Sequence, residues 1–136
     1  MSNRHIPVVY IAGPFRGPTD WDRAENVRHA QRFGLAVARL GGMPLIPHAN
    51  TALFFGHGSE EDLWIPGTKR LAEVSDAMVM IPGWERSAGA RGERDAFVDW
   101  GRKDRIFYLD NYPIDRVAEA SEHDRLRTWI AQFQRA

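Results

Sequence analysis

Short apolar runs alternate along the chain with longer stretches in which apolar residues recur at helical spacing. Four runs are the length of buried strands and contain many branched or aromatic residues. They comprise Val8–Ile11, Met43–Ile46, Ala77–Ile81 and Ile106–Leu109. Because helical patterns lie between them, the chain is predicted to form an α/β fold around a mostly parallel sheet of about four to five strands.

Helical periodicity is clearest near the two ends of the chain. Apolar positions predict a helix from about Asp20 to Leu40, which Gly41-Gly42 closes. A terminal helix is indicated by the apolar positions Leu126, Trp129, Ile130 and Phe133. A further helix is predicted after the third strand, where Phe97 and Trp100 lie on one face.

The segment between the second and third strands is less regular. Pro47–Gly58 has no clear periodicity but contains three large apolar residues, which is typical of a binding loop or lid. Ser59–Asp62 resembles a helix N-terminus, although Pro66-Gly67 predicts an interruption. A second helical piece is then predicted over Lys69–Val74.

Composition narrows the class of protein. The 136 residues fit a single domain, 1–136, and 18 basic residues balance 18 acidic ones without long blocks of one sign. We therefore expect neither polymeric nucleic acid nor a membrane as partner. With no cysteine, no apolar stretch of membrane-spanning length and no signal-peptide core, a cytoplasmic protein is expected.

Glu93 is the most informative candidate for chemistry. It ends the run Ser87–Glu93, and its spacing from Phe97 and Trp100 puts it on the apolar face of the helix predicted there. A carboxylate on an inward face is costly unless it is paired. An enzyme can use such a group as a nucleophile or as an acid or base.

The segment after the first strand is a second candidate. Tyr10–Gly17 ends a strand of an open α/β sheet, where ligands usually bind, and its glycines allow close approach of the backbone. Arg16 could hold a phosphate or carboxylate. The spacing is neither the dinucleotide fingerprint nor a Walker A loop. An ordinary turn with a solvated arginine is an equally good interpretation.

Two further residues have both a functional and a structural interpretation. Ser87 begins a helix whose first residues are small, which favours an anion, but serine also caps helices without any ligand. Asp76 precedes the third strand, where an aspartate is usually a turn residue. It matters for chemistry only if the fold brings it to Glu93.

Histidine and tryptophan give weaker signals. His48 and His57 match no common metal-ligand spacing, so we expect no metal site and interpret them as loop residues or substrate contacts. Trp84 lies beside a loop, where it could stack on a base, although packing in the core is the commoner role.

Three blocks of the chain together resemble the nucleoside 2-deoxyribosyltransferase-like superfamily, and most closely its short branch with a Tyr-Ile-Ala-Gly-Pro motif. The blocks are Tyr10–Gly17, Ser75–Trp84 and Ser87–Glu93 with Ala96. Their order and the helices between them also agree, from Val8 to about Leu109. The resemblance implies a Rossmann- or flavodoxin-like three-layer fold.

The resemblance also implies an activity, namely cleavage of the N-glycosidic bond of nucleosides or nucleoside 5′-monophosphates. Glu93 matches the nucleophilic glutamate, Asp76 an aspartate associated with the leaving base, and Tyr10 a tyrosine that positions the nucleophile. The chemistry is that of a retaining glycosidase with a covalent glycosyl–enzyme intermediate. It needs no cofactor.

One position points to the substrate. Where nucleoside transferases of the superfamily carry a sugar-binding aspartate, this chain has Ser87, as the monophosphate hydrolases do. A carboxylate would repel a 5′-phosphate, whereas a hydroxyl at the positive end of a helix would favour its binding. The expected substrate contacts are Gly13, Phe15, Arg16, Gly17, His48, Trp84, Ser87 and Gly89.

The sequence therefore predicts hydrolysis of a nucleoside 5′-monophosphate. Two alternatives stay open, base exchange by a nucleoside 2-deoxyribosyltransferase and a non-catalytic nucleotide-binding or sensing protein. Pro47–Gly67, which should contact the base, does not match the well-characterised enzymes. The resemblance also implies a homodimer or a higher homo-oligomer.

Overall fold

Four parallel strands form one sheet in the computed structural model, which describes residues 5–54, 57, 60–110 and 121–135. The strands are β1 (Val8–Ala12), β2 (Met43–Leu45), β3 (Ala77–Met80) and β4 (Ile106–Tyr108). Their order across the sheet is β2-β1-β3-β4, and every neighbouring pair is parallel. The predicted strands are thus confirmed to within one residue at each end.

Five α-helices connect or follow the strands within the described ranges. They are α1 (Asp20–Arg39), α2 (Pro47–Thr51), α3 (Glu60–Glu73), α4 (Ala88–Asp99) and α5 (Ser121–Arg135). Short 3-10 turns are formed by Ala52–Phe54, Trp84–Arg86 and Lys103–Arg105. In the part of the chain that the structure describes, no helix is long and apolar enough to cross a membrane.

Helices cover both faces of the sheet. Alternate strand residues point to opposite faces, and because both sets are apolar, both faces must be buried. Val9 and Ile11 of β1 pack in the cluster that contains Phe33 of α1 and Ile130 of α5. Tyr10 points the other way, into the cluster formed with α3 and α4. The fold is therefore a three-layer Rossmann- or flavodoxin-like α/β fold, as predicted.

The strand order determines where a ligand crevice forms. The chain leaves β1 for β2 on one side and then crosses over β1 to reach β3 on the other. The connections thus diverge at β1 and β3. In doubly wound sheets, ligands bind beyond the carboxyl ends of the strands at such a switch point.

The first helix is defined by a capping box. Thr19 Oγ1 accepts a hydrogen bond from the Asp22 amide at 3.2 Å, and Asp22 Oδ2 accepts one from the Thr19 amide at 3.2 Å. Gly41, at a φ of 99°, follows the end of the helix and allows the sharp turn into β2. This part of the prediction is confirmed.

The segment before β3 corrects the prediction in two respects. Pro47–Thr51 is helical rather than loop, because Pro47 occupies the first turn, where its missing amide hydrogen costs nothing. The predicted interruption at Pro66-Gly67 is also wrong, since α3 runs through Pro66. Pro66 and Asp62 are both exposed, so water can bind the Asp62 carbonyl that the proline leaves without its helical donor. Phe55, Gly58 and Ser59 lie outside the described residues.

Candidate functional site

Two loops and a helix start meet at the carboxyl edge of the sheet, between β1 and β3. One loop comprises residues 13–17 after β1, and the other comprises residues 81–87 between β3 and α4. Ile81 continues the pairing of β3 with β1, since its amide donates to the Ala12 carbonyl at 3.0 Å. The crevice expected from the topology is therefore bounded by the loops that contain most of the predicted substrate contacts.

Gly13 and His48 fix the first residues after β1. A Cβ atom at Gly13 would lie 2.4 Å from the Ile81 side chain, so only glycine lets the two loops approach so closely. His48 Nε2 donates to the Gly13 carbonyl at 3.1 Å, and the His48 ring stacks on Phe15 with centroids 4.8 Å apart. The structure thus brings Gly13, Phe15 and His48 together.

Helix α1 holds the rest of this loop from below. Asn26 Nδ2 donates to the Phe15 carbonyl at 2.9 Å, and Arg23 Nη1 donates to the Gly17 carbonyl at 3.2 Å. The exposed side chain of Arg16 lies between these two anchored residues. Asn26 and Arg23 were missed by sequence reasoning, because nothing in a polar helix surface indicates which residues reach a distant loop.

The N-terminus of α4 forms the other wall. Ser87 is its N-cap, and Ser87 Oγ accepts a hydrogen bond from the Ala90 amide at 3.2 Å. Ala88 and Gly89 are exposed, and no acidic residue lies in the first turn. The capping interpretation of Ser87 is therefore confirmed, and the same helix start presents amides and a positive dipole end to solvent.

Glu93 and Tyr10 lie next to each other below this helix start. Glu93, on α4, is only 8 % exposed, and Tyr10, on β1, is fully buried. The carboxylate and the hydroxyl are close enough to perturb each other, yet Tyr10 Oη and Glu93 Oε2 both lack a partner with hydrogen-bond geometry. Buried polar atoms without partners are rare in folded proteins and frequently mark functional sites.

Burial strongly perturbs both groups. Burial raises the pKa of Glu93 from its ordinary value of 4.5 to about 7, against a smaller lowering by the Tyr10 hydroxyl. The pKa of Tyr10 is also raised, mainly by burial and then by the negative charge of Glu93. Near neutral pH, Glu93 is thus present both as carboxylate and as carboxylic acid, and it can serve as nucleophile or as proton donor.

Thr68 is the third polar side chain at this position, and sequence reasoning missed it. It extends from α3 toward Tyr10 and opposes the rise of the Tyr10 pKa, while its own hydroxyl donates to the Ile65 carbonyl at 3.2 Å. The available signal was its spacing of four residues from Ala72, which is fully buried and therefore marks the inward face of α3. Because the sequence predicted an interruption of the helix at Pro66-Gly67, the inward face of α3 could not be assigned as far back as Thr68.

Asp76 does not join Glu93, which corrects the prediction. Asp76 Oδ2 accepts a hydrogen bond from the Val8 amide at 2.9 Å, and the Asp76 amide donates to the Val8 carbonyl at 2.8 Å. Both bonds lie at the amino edge of the sheet, whereas the crevice lies at the carboxyl edge. The reason is topological, since a residue that precedes a parallel strand lies at the edge where all the strands begin.

Trp84 and His48 have structural partners as well. The Trp84 ring packs against Tyr108 with centroids 5.6 Å apart, and the Arg94 guanidinium lies 5.0 Å from its ring centre. The packing interpretation of Trp84 is thus confirmed. Burial lowers the pKa of His48, only partly opposed by its bond to Gly13. Because a carbonyl can only accept, the neutral His48 ring carries its proton on Nε2.

Within the described ranges, no group of three or more histidine, aspartate or glutamate side chains is arranged to hold a metal ion.

Comparison with known proteins identifies a family. Residues 7–108 match the family model described as "Domain of unknown function (DUF4406)", and no curated protein matches the chain. The match covers well over half of the 136 residues and takes in all four strands, both crevice loops, Tyr10 and Glu93. The chain therefore belongs to the DUF4406 family.

Proposed function

We propose that the protein hydrolyses the N-glycosidic bond of a nucleoside 5′-monophosphate, with Glu93 as the nucleophile. The observation that carries the proposal is the buried Glu93 carboxylate, whose Oε2 has no hydrogen-bond partner and which lies beside the Tyr10 hydroxyl. A residue that served only the fold would be expected to have its hydrogen bonds satisfied. A reactive carboxylate needs an open lone pair instead.

The proposed reaction has two steps. A Glu93 carboxylate oxygen attacks the anomeric carbon, and the bond from that carbon to the base nitrogen breaks with its electron pair on the base. Water then attacks the anomeric carbon of the glycosyl–Glu93 ester, which frees the carboxylate and gives the sugar 5-phosphate with retained configuration, and the proton that the water loses balances the one that the departed base takes up. Tyr10, within reach of the carboxylate, would orient it before attack.

The helix start at Ser87 supports a phosphate at the other end of the substrate. Ala88 and Gly89 are exposed residues in the first turn of α4, and the amides and positive dipole end of a helix start favour an anion. Ser87 and Glu93 are six residues apart on one helix, about 9 Å along its axis. Phosphate and anomeric carbon would thus be held by the same rigid element, and Arg16 would contribute a charge from the opposite loop.

The base would then lie toward the loop after β1. Phe15 and His48 already stack on each other there, and a flat aromatic base can extend such a stack. Gly13 and Gly17 let this loop pack against Ile81 and Asp22, whose side chains would lie 2.4 Å and 2.5 Å from a Cβ atom at the two positions. This arrangement supports a nucleotide as ligand.

A non-catalytic nucleotide-binding or sensing protein is the second candidate, and the position of Asp76 favours it. A retaining glycosidase uses two carboxyl groups, one as nucleophile and one as acid and base. The aspartate expected to be the second one is bound to the Val8 amide at the far edge of the sheet. A binder would require only the crevice, the helix start and the stacked rings.

A panel of ribo- and deoxyribonucleoside monophosphates, with release of free base followed by chromatography, tests the proposal. We expect the wild-type protein to release base and sugar phosphate, and Glu93→Gln to release none. Glu85→Gln is the matched control, because Glu85 is an exposed glutamate close to the start of the same helix. Base exchange on unphosphorylated nucleosides would favour the transferase, and thermal stabilisation by nucleotides without turnover would favour the binder.

We further expect a homodimer or higher homo-oligomer that works in the cytoplasm. Leu63 and Ile65 on α3 are 67 % and 65 % exposed, and such apolar side chains are common in subunit interfaces. Light scattering coupled to size-exclusion chromatography measures the mass in solution. A monomer at all concentrations would contradict this expectation.

A further inference from the structure

We propose that His29 is a positioning residue that holds the loop between β3 and α4 to α1, so that this wall of the crevice is ordered before a ligand binds. The inference rests on the proposed function for the nature of the ligand, although the contact itself exists in the protein without substrate. His29 Nε2 lies 3.1 Å from the Pro82 carbonyl oxygen. Because a carbonyl can only accept, the ring nitrogen is the donor.

Helix α1 is bound to both walls of the crevice through side chains spaced three residues apart. Arg23 and Asn26 donate to carbonyls of the loop after β1, and His29 donates to the loop after β3. All three side chains are half-buried. The His29 ring also makes an edge contact with Phe33, which lies in the core, with centroids 5.3 Å apart. One helix anchored in the core thus fixes the two loops relative to each other.

The Pro82 carbonyl belongs to a turn whose central peptide can take two orientations. The Trp84 amide donates to the Ile81 carbonyl at 3.1 Å, and Gly83, the third residue of the turn, has a φ of 96° and a ψ of −6°. Proline in second place and glycine with positive φ in third place are typical of a type II turn. A type I turn differs in the orientation of the peptide between those two residues, and glycine fits either. The bond from His29 to the carbonyl of this peptide therefore selects one orientation.

The turn leads directly to the proposed anion site. The Arg86 amide donates to the Gly83 carbonyl at 3.1 Å, and the Ser87 amide donates to the Trp84 carbonyl at 3.0 Å. Through these bonds the orientation of the turn determines where Ser87, the N-cap of α4, lies. A loop that is ordered in advance loses less conformational entropy on binding. Loss of the His29 donor should therefore weaken the binding of an anionic ligand.

The chemistry at Glu93 should depend much less on His29. Phe97, one turn after Glu93 on α4, packs with Tyr10 in the buried cluster on one face of the sheet. Phe33, the ring partner of His29, lies in the cluster on the other face. Glu93 thus has its own support in the core, and His29 is expected to affect ligand affinity rather than the chemical step.

Amide hydrogen exchange in the protein without ligand tests whether His29 holds the loop. His29→Phe keeps a ring beside Phe33 but removes the donor, so the amides of Trp84, Arg86 and Ser87 should exchange roughly two- to tenfold faster than in the wild type. His29→Gln keeps a nitrogen donor at a similar reach and should exchange like the wild type. His29→Leu, which also lacks the donor, takes the place of the phenylalanine variant if that variant does not fold.

Three results of the exchange experiment would overturn the proposal. The first is unchanged exchange of the loop amides in the variants without the donor. The second is equally fast exchange in His29→Gln, which would mean that the ring rather than the donor holds the loop. The third is an equal acceleration at the Leu109 amide, which donates to the Met80 carbonyl in the sheet, because this would indicate a general loss of stability.

Titration calorimetry with the panel of nucleoside 5′-monophosphates relates the loop to the ligand. His29→Phe should bind a nucleotide roughly two- to tenfold more weakly than the wild type, and His29→Gln should bind it equally well. If the nucleotide is hydrolysed, KM should rise while kcat stays within about twofold. Unchanged affinity, or a fall in kcat at unchanged KM, would overturn the proposed effect on binding. If the wild type binds no nucleotide, the proposed function fails, while the exchange data still decide whether His29 holds the loop.

Discussion

Glu93 and Asp76 are two carboxylates at opposite edges of one parallel sheet, and their surroundings differ. Asp76 Oδ2 accepts a hydrogen bond from the Val8 amide and ties the start of β3 to the start of β1. Glu93 is almost fully buried at the carboxyl side, and its Oε2 has no such partner. A satisfied carboxylate stabilises the fold, whereas an unsatisfied buried one is available for chemistry. The comparison thus separates a structural acid from a candidate nucleophile.

The largest difference between the two acids is expected in activity. Glu93→Gln should lower kcat for nucleotide hydrolysis by roughly 10⁴-fold or more, since loss of a covalent nucleophile has effects of that size. Asp76→Asn keeps an oxygen acceptor for Val8 and should retain most of the activity. Steady-state assays on the two purified variants measure the contrast. Equal losses of activity in the two variants would indicate that Asp76 takes part in the reaction.

The second contrast concerns pH. Activity should rise with pH through about 7, because the nucleophile must be ionised. Stability should change in the opposite direction, since the raised pKa of Glu93 means that the folded state binds a proton more tightly than the unfolded state. The contribution of Glu93 proton binding to the free energy of unfolding is complete below pH 4.5 and is lost as the pH rises through about 7. The total change is about 3 kcal/mol.

Urea unfolding of wild type and Glu93→Gln between pH 4 and 9 measures this contribution. The difference in the free energy of unfolding between the two proteins should change as the pH rises from about 4.5 through about 7 and should then become constant at higher pH. A constant difference at every pH would mean that the pKa of Glu93 is not raised in the folded protein.

The third contrast is the structural role of Asp76. Asp76→Ala should lower the free energy of unfolding by about 1 to 3 kcal/mol, because the partly buried Val8 amide loses its acceptor. Asp76→Asn should lower it by less, since an amide oxygen can still accept. Chemical denaturation of both variants gives the values. Full stability of Asp76→Ala would remove the physical basis of the comparison.

The smallest contrast lies in two glycines of the site region. Gly13→Ala should lower the free energy of unfolding by about 1 to 3 kcal/mol, because the new Cβ would lie 2.4 Å from Ile81. Gly92→Ala on the exposed side of α4 should raise it by about 0.5 to 1 kcal/mol, since nothing lies within 4 Å of its Cβ position. Destabilisation by both variants alike would contradict the close packing of the crevice loops.

The sequence predicted the elements that depend on local patterns. Strand β3 is buried on both faces, so it forms a continuous apolar run that is easy to recognise. The inward position of Glu93 followed from its spacing to Phe97, and the structure confirms its burial. Ser87 was recognised as a helix cap from its residue type alone, and the structure confirms it.

Features that depend on pairing between distant elements could not be predicted. The hydrogen bond from His48 to Gly13 joins residues 35 positions apart, and no local pattern encodes it. Thr68 was missed because a proline was expected to end the helix, whereas tertiary packing and solvent exposure let α3 continue. The edge on which Asp76 lies follows from the strand topology, which three short sequence blocks do not specify.

Trapping the proposed intermediate tests the central claim most directly. A 2-fluoro-2-deoxy nucleoside 5′-monophosphate withdraws electrons from the anomeric carbon and slows hydrolysis of a glycosyl ester, so the adduct can accumulate. Mass spectrometry of the intact protein, followed by peptide mapping, should find one added fluorosugar phosphate on the peptide that contains Glu93. Glu93→Gln should give no adduct. Release of base by the wild type with the adduct on another residue would contradict the assignment of Glu93 as the nucleophile.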